Sequence, residues 1–300
     1  MVDFETNDEP QGADYLAPTS IDQALALLSE HGDDAKIIAG GQSLLVFLRQ
    51  GLLEPRALIG LKRIPELIRI EESADGGLTI GAMVTQYTLE HSALIRERYP
   101  ALSEAAAVVS SPPIRRQSTI GGNLSHGDPT GDPPAALIAL GAEVEIASLT
   151  GRRRIPVEEL FADYMETHLE TGELLVAVHL PAQANKSGSA YLKHRIRAVD
   201  TALVGVGVGL TLSEDRTTCI DARIGLVGAG VTPIRAVNAE AVLRGNLIMN
   251  DKIEAVATAA SEECEPLADT EGSEWYRREM VAVFVRRAAG IALSRAKGTN

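Results

Sequence analysis

Ala39-Gly40-Gly41-Gln42-Ser43-Leu44-Leu45 and Thr119-Ile120-Gly121-Gly122-Asn123-Leu124 are the two segments around which the rest of this chain arranges itself. Each sets a Gly-Gly pair beside apolar residues and flanks it with hydroxyl or amide side chains: Gln42 and Ser43 in the first, Thr119 and Asn123 in the second. Glycine tolerates positive φ and lets another group approach the main chain closely. Successive N–H groups in such a turn form a concave anion nest. Two nests facing each other would hold a diphosphate through peptide dipoles, without a lysine. The plainer alternative is a pair of ordinary tight turns, and pattern alone leaves both open.

Upstream of the first segment, Ser20 is placed to cap a helix, with Gln23 three residues on and Ile21, Ala24, Leu25 and Leu28 at helical spacing. Gly32 stops that helix, and Lys36-Ile37-Ile38-Ala39 reads as a buried strand feeding the glycine turn, with a short helix from Leu44 to Leu48 behind it. Short strands are expected between Ala57 and Ile80, interrupted by Pro65 and by the turn at Asp75-Gly76-Gly77. Helices follow near Thr85–His91 and Ala101–Val109, the second ended by Pro112-Pro113. Beyond the second glycine segment, Asp132-Pro133 opens a helix over Ala135–Leu140, and strands cover Glu143–Ala147 and Leu174–Leu180. The small, polar stretch Ala182–Ser189 marks a domain boundary. After it come strands at Ala202–Leu212 and Ala222–Val227, then helices near Arg235–Leu243, Asp251–Cys264 and Glu274–Ala296. The expected organisation is an acidic mobile tail over 1–13, subdomains over 14–65 and 66–183, and a C-terminal domain over 190–297. Strands followed by helices make the class α+β.

Composition limits what such a chain does. With 28 Lys and Arg against 41 Asp and Glu in 300 residues, the net charge is −13, the wrong field for a nucleic-acid surface. No apolar run approaches a membrane span, and the acidic start carries no secretory signal, so a cytoplasmic location is expected. Cys219 and Cys264 are the only cysteines, too few for a disulfide scaffold or a thiolate-ligated cluster.

Other candidates weaken on inspection. Gly205-Val206-Gly207-Val208-Gly209 lacks the G-x-G-x-x-G spacing of a dinucleotide fingerprint and reads as a strand packed against another backbone. Gly225, Gly228 and Gly230 read as a strand end before a helix at Pro233. The histidines show no metal-ligand spacing, and His126 alone stands out, three residues after Asn123, facing either a ligand or solvent. Arg152-Arg153-Arg154 reads as a solvated turn, and Arg115-Arg116 as a solvated face or a partner contact. Asp132 either accepts from a ribose or caps the helix at Pro133. No nucleophile–base–acid set matches a known signature, so no catalytic residue and no metal ligand is named.

Taken together, the two glycine segments resemble the paired FAD-binding motifs of the flavoprotein subunits of molybdenum hydroxylases, the medium chains of the carbon monoxide dehydrogenase and xanthine dehydrogenase type. The resemblance continues through His126-Gly127-Asp128-Pro129, Asp132-Pro133-Pro134-Ala135-Ala136, Tyr191-Leu192-Lys193, Asp200-Thr201-Ala202 and Tyr276-Arg277-Arg278, and so spans the chain from about residue 14. It implies two N-terminal FAD-binding (PCMH-type) subdomains holding FAD between them, with a C-terminal α+β domain of strands and helices on one face. By motif position, Ile37, Ile38, Ala39, Gly40, Gly41, Gln42, Ser43 and Leu44 would line the first FAD turn. Ser110, Thr119, Gly122, Asn123, Ser125 and His126 would follow along the cofactor. Asp132 would take the ribose while also capping, and Leu175 and Lys193 would reach the cofactor from later strands. Gln42 stands where some relatives have histidine, and Val46-Phe47 where proline is common. The cysteine-bearing cluster loop of the benzoyl-CoA reductase branch is missing.

The same resemblance implies a large partner chain with a molybdenum cofactor and a small one with two [2Fe–2S] clusters, in a heterotrimer or a dimer of heterotrimers. This subunit would take electrons at FAD and pass them to NAD, a quinone or another acceptor. Two other readings are a stand-alone FAD-dependent oxidase or dehydrogenase, and a non-catalytic assembly protein with the same fold. The substrate-selecting pocket would lie on another chain.

Overall fold

The computed structural model describes residues 12–299 of the chain. Of the acidic stretch expected as a tail, residues 1–11 lie outside the described residues.

The N-terminal layer is a small parallel sheet built from β1 (Asp14–Leu16), β2 (Ala35–Ile38) and β3 (Ala57–Gly60), in the order β1-β3-β2. Helix α1 (Ile21–His31) crosses between β1 and β2 and buries Ile21, Ala24, Leu25 and Leu28 against Ala57, Ile59 and Leu61. Ser20 accepts the Gln23 N–H at 3.2 Å, while Gln23 turns its own Oε1 to the Thr19 N–H at 2.9 Å. Gly32 closes the helix at φ +53°. Strand β2 leads into the first glycine segment and then into α2 (Leu44–Arg49).

The middle layer is an antiparallel sheet ordered β4-β5-β10-β6-β7. Its strands are β4 (Ile70–Glu72), β5 (Leu78–Gly81), β6 (Glu143–Ser148), β7 (Gly151–Pro156) and, after the short hairpin β8 (Phe161–Asp163) and β9 (Glu166–Thr167), β10 (Leu174–Leu180). Six helices cover it: α3 (Gln86–His91), α4 (Ala93–Arg98), α5 (Pro100–Ala107), α6 (Pro112–Arg115), α7 (Ile120–His126) and α8 (Asp132–Ala139). Four sequence expectations change here. Helix α4 was not anticipated; Ser92 starts it by accepting the Ile95 N–H. Pro112-Pro113 does not end a helix, since α5 has already stopped at Val108; the prolines occupy the first positions of α6, where a missing N–H costs nothing. The three arginines at 152–154 form edge strand β7 in place of a solvated turn, held because Arg152 and Arg154 both bond Glu145 and Arg153 bonds Glu173. Burial pushes the Glu145 carboxyl up, yet the bonds from Arg152, His179 and Arg154 hold it below its ordinary value. Arg115 and Arg116 face their own chain: Arg115 pairs with Glu90 at 2.8 Å, and Arg116 stacks over the Tyr87 ring.

The C-terminal layer runs β11 (Ser187–His194), β12 (Val204–Leu212), β13 (Cys219–Val227) and β14 (Ile234–Arg235) in sequential antiparallel order. Strand β11 takes up the end of the stretch expected as a linker. Pro233 precedes β14, so the helix expected there starts later, as α9 (Val237–Leu243), with α10 (Asn250–Glu262) and α11 (Glu274–Lys297) after it.

Val204, Val206, Val208 and Leu210 point to one face of β12, into a core shared with α9, α10 and α11. The alternating glycines point to the other face, and there α8 docks. A Cβ on Gly207 or Gly225 would overlap the Ala135 carbonyl oxygen, and one on Gly209 that of Ala139. The glycine strand is therefore the seat of α8, which packs the middle layer onto the C-terminal one. Gly207→Ala is expected to cost about 1–3 kcal/mol because the obstacle is backbone. Gly290→Ala, mid-helix in α11 with open space around it, should instead stabilise by about 0.5–1 kcal/mol. Thermal midpoints moving in opposite directions would bear this out; equal shifts would refute it.

Candidate functional site

The two glycine segments, distant in sequence, meet in space. A Cβ on Gly40 would overlap the carbonyl oxygen of Gln117, and one on Gly122 would lie 3.5 Å from the Ala39 Cβ. Between them opens a cleft of about 520 Å³, within the range of small-molecule sites.

The two segments are built differently. In the first, Gly41 takes φ +75°, and the N–H groups of Gly41, Gln42 and Ser43 have no hydrogen-bond partner among the described residues. This is the open nest expected from the sequence. The second is no turn at all: Gly121 and Gly122 lie in the first turn of α7, whose N-cap Thr119 accepts the Gly122 N–H at 3.1 Å. The Ile120 and Gly121 N–H groups bond Val84 and Ala82. No second nest is therefore available, and these glycines serve close approach: a Cβ on Gly121 would lie 2.5 Å from the Ala82 Cβ. Among the side chains that α7 presents to the cleft is Asn123, whose Oδ1 is buried without a partner.

Ile37, Ala39, Gly40, Gly41, Gln42, Ser43, Leu44, Thr119, Gly122, Asn123, Ser125, His126 and Leu175 all line this cleft. His126 faces it with its ring 5.8 Å from that of Phe47. Ile38 does not line it; its Cδ1 instead packs under the glycine turn, 3.4 Å from where a Cβ on Gly41 would sit. Ser110 also lies outside the lining, at φ +41°, with its carbonyl bonded to Arg115 at 3.1 Å. Phe47, Leu53, Met83, Met165 and Leu169 line the cleft without having been anticipated. As single apolar residues on scattered elements they give no local signal.

Asp132 and Lys193 form a separate buried cluster where α5, α8 and β11 meet. Gly131, not Asp132, occupies the N-cap of α8. The Asp132 carboxylate accepts from Tyr191 Oη at 2.6 Å and from Lys193 Nζ at 2.9 Å, and Lys193 also donates to the Val108 carbonyl at 3.1 Å. The capping role is thus absent, since both carboxylate oxygens are engaged across the domain seam. Burial pushes the Asp132 carboxyl above its ordinary value, and Lys193 and Tyr191 pull it back only in part. Burial, reinforced by the neighbouring Asp132 charge, drives the Tyr191 hydroxyl far up and keeps it a donor. Beside the cluster, Glu104 accepts the Tyr191 N–H at 2.8 Å and pairs with Arg295 of α11 at 2.5 Å. Cleft and cluster are neighbours: a Cβ on Gly131 would lie 3.5 Å from Asn123 Oδ1.

Among the described residues no group of His, Cys, Asp and Glu could hold a metal ion. Cys219 and Cys264 are buried in the C-terminal core, and burial pushes their thiols to about 11 and about 12. No helix among them is long and apolar enough to cross a membrane.

A family described as the FAD binding domain in molybdopterin dehydrogenase matches residues 7–183, and one described as the CO dehydrogenase flavoprotein C-terminal domain matches residues 189–292. The 6-hydroxypseudooxynicotine dehydrogenase complex subunit alpha of Paenarthrobacter nicotinovorans is 38% identical, over 97% of this chain and 98% of its own. The carbon monoxide dehydrogenase medium chain of Hydrogenophaga pseudoflava is 36% identical over 95% of this chain and 99% of its own. Carbon monoxide dehydrogenase from that organism, solved in a form lacking the Mo-pyranopterin moiety of the molybdenum cofactor, superposes with a TM-score of 0.91 at 37% identity, covering 95% of this chain and 99% of that one. Quinoline 2-oxidoreductase from Pseudomonas putida 86 gives 0.86 at 32%, covering 96% and 98%.

Proposed function

The chain belongs to the FAD-binding medium-subunit family of the molybdopterin dehydrogenases, and from that premise we propose that it holds FAD in the cleft between its glycine segments as the electron-relay subunit of such a complex. The observation that carries this is the unpartnered first turn. Three free N–H groups at Gly41, Gln42 and Ser43 suit a diphosphate, and they face a second segment stripped of side-chain bulk at Gly121 and Gly122. Asn123, with its buried Oδ1 unpaired, offers an acceptor to a cofactor hydroxyl or N–H; leaving it unmatched costs about 1–3 kcal/mol. Ile37, Leu44 and Leu175 supply apolar walls that exclude water. Asp132 and Lys193, engaged with each other and with Tyr191 outside the cleft lining, would act on a bound cofactor only by holding the neighbouring Gly131 and Asn123 in place.

When bound, the flavin supplies the redox chemistry, and the protein contributes placement and electrostatics. Thiolate-ligated iron–sulfur centres would lie on a partner chain, because both cysteines here are buried in the C-terminal core, and the molybdenum cofactor would lie on another, as the family resemblance implies. NAD or a quinone would take the electrons onward. Purification of the full chain with flavin absorbance, at one FAD per chain, is the expected result. A colourless chain that refuses added FAD would overturn it and favour an assembly role. Reduction of the flavin by a small substrate in the isolated chain would favour a stand-alone dehydrogenase.

A further inference from the structure

Tyr164-Met165 is the two-residue turn of the β8–β9 hairpin, closed by the Asp163–Glu166 pair. Met165 stands second in that turn, at φ +59°. A turn residue with positive φ is ordinarily Gly or Asn, because a Cβ there crowds the following carbonyl oxygen. A long side chain in this conformation is backbone strain, and such strain collects at active sites and ligand clamps. Among the described residues only Ser110, Met165 and Arg216 combine a side chain with a positive φ, and of these Met165 alone lines the cleft.

The hairpin holds the residue firmly. At its root Phe161 is buried in the core of the middle layer, and Leu169, just beyond β9, packs against the same core. At its tip the main chain is seated on the C-terminal end of α7: a Cβ on Gly127 would lie 3.0 Å from the Glu166 nitrogen and from the Met165 carbonyl carbon. Met165 itself is half-buried and packs against none of the hydrophobic cores. No core therefore requires a methionine here, and glycine would suit the turn better.

We infer that Met165 is a cofactor-contact residue whose thioether packs on one of the two planar ring systems of FAD, an inference that rests on the flavin-subunit reading above. Methionine is suited to that task, being unbranched and polarizable, with a sulfur that makes favourable contacts to aromatic rings. The seated hairpin presents the side chain in place beforehand, so little freedom is lost when the cofactor arrives. The strain in the turn persists because the contact offsets it once the cofactor is bound.

The test compares full-length wild type, Met165→Gly and Met165→Leu, each stripped of flavin and titrated with FAD, with thermal midpoints measured before FAD is added. Met165→Gly is expected to raise the midpoint of the FAD-free chain, since glycine adopts positive φ freely, and to weaken FAD binding at least about fivefold. Met165→Leu keeps an apolar contact and should bind FAD within about threefold of wild type, its midpoint little changed. Titration with ADP tells the two rings apart: ADP weakened as much as FAD assigns the contact to the adenine, and ADP unaffected assigns it to the isoalloxazine. Unchanged FAD affinity in Met165→Gly overturns the inference. So does a midpoint that falls together with the affinity, the mark of a side chain that only supports the hairpin. A wild-type chain that binds no FAD would overturn the flavin reading and this inference with it, whereas failure of the inference alone leaves the wild type binding FAD normally.

Discussion

Lys193→Met is expected to destabilise the protein by about 3–5 kcal/mol, the cost of leaving one member of a buried ion pair without its partner. Both side chains are almost fully shielded, at 2% and 5% exposure, so solvent cannot replace the lost ammonium. The pair also ties β11 to α8 and, through the Val108 carbonyl, to the end of α5, so its loss loosens the seam between the middle and C-terminal layers. Lys193→Met/Asp132→Asn should recover much of the loss, because the amide still accepts from Tyr191 and no charge remains stranded. The pH dependence has a definite sign. Burial already raises the Asp132 carboxyl above its ordinary value, and removing Lys193 raises it further. A carboxyl with a raised folded pKa costs stability as pH rises through the window between its unfolded and folded values. The single variant should therefore regain stability relative to wild type as the pH is lowered through that window, and the double variant should not. Thermal melts of the three proteins across acidic to neutral pH would check this. A single variant whose deficit is small at neutral pH, or grows on acidification, would refute the buried-charge explanation.

Gly40→Ala is expected to weaken FAD binding by roughly 5- to 150-fold. The added methyl would overlap the Gln117 carbonyl, which is main chain and cannot swing aside, and overpacking of this kind costs about 1–3 kcal/mol, or about 1.4 kcal/mol per tenfold in affinity. The strain falls where the two glycine segments touch, so relief comes by parting them and opening the cleft. Gly51→Ala, at φ +67° but with open space around it, controls for strain in the same region outside the contact. Flavin titration of the unfolded-and-refolded apoprotein reads both. Equal affinity in Gly40→Ala and wild type would detach the cofactor from this contact.

Much of the architecture was legible in the chain. Ser20, the apolar positions of α1 and the terminal Gly32 defined a helix that depends only on neighbours a turn apart. The Val-Gly alternation over 204–209 likewise announced a strand seated against backbone, because a side chain's absence every second residue has one direct structural use. Where sequence pattern and structure differ, the deciding contact lies outside the local window. Gly121-Gly122 looked like a turn and is a helix start, because the Val84 and Ala82 carbonyls of the preceding strand-to-helix turn take the Ile120 and Gly121 N–H groups. The arginines at 152–154 looked solvated and form a strand, because Glu145 waits on the neighbouring one.

From its own letters the chain determined its α+β class, most of its longer helices and strands, and the two places where backbone must come close to something else. Only the tertiary structure decided that those places meet each other, that one presents free N–H groups and the other a lone amide oxygen, and that Asp132 answers to Tyr191 and Lys193 in place of its own helix. The reason is physical: helix and strand propensities are settled by neighbours within a turn or two. The partner of a buried charge or an open N–H is settled by which layers pack together, and short-range periodicity does not encode that.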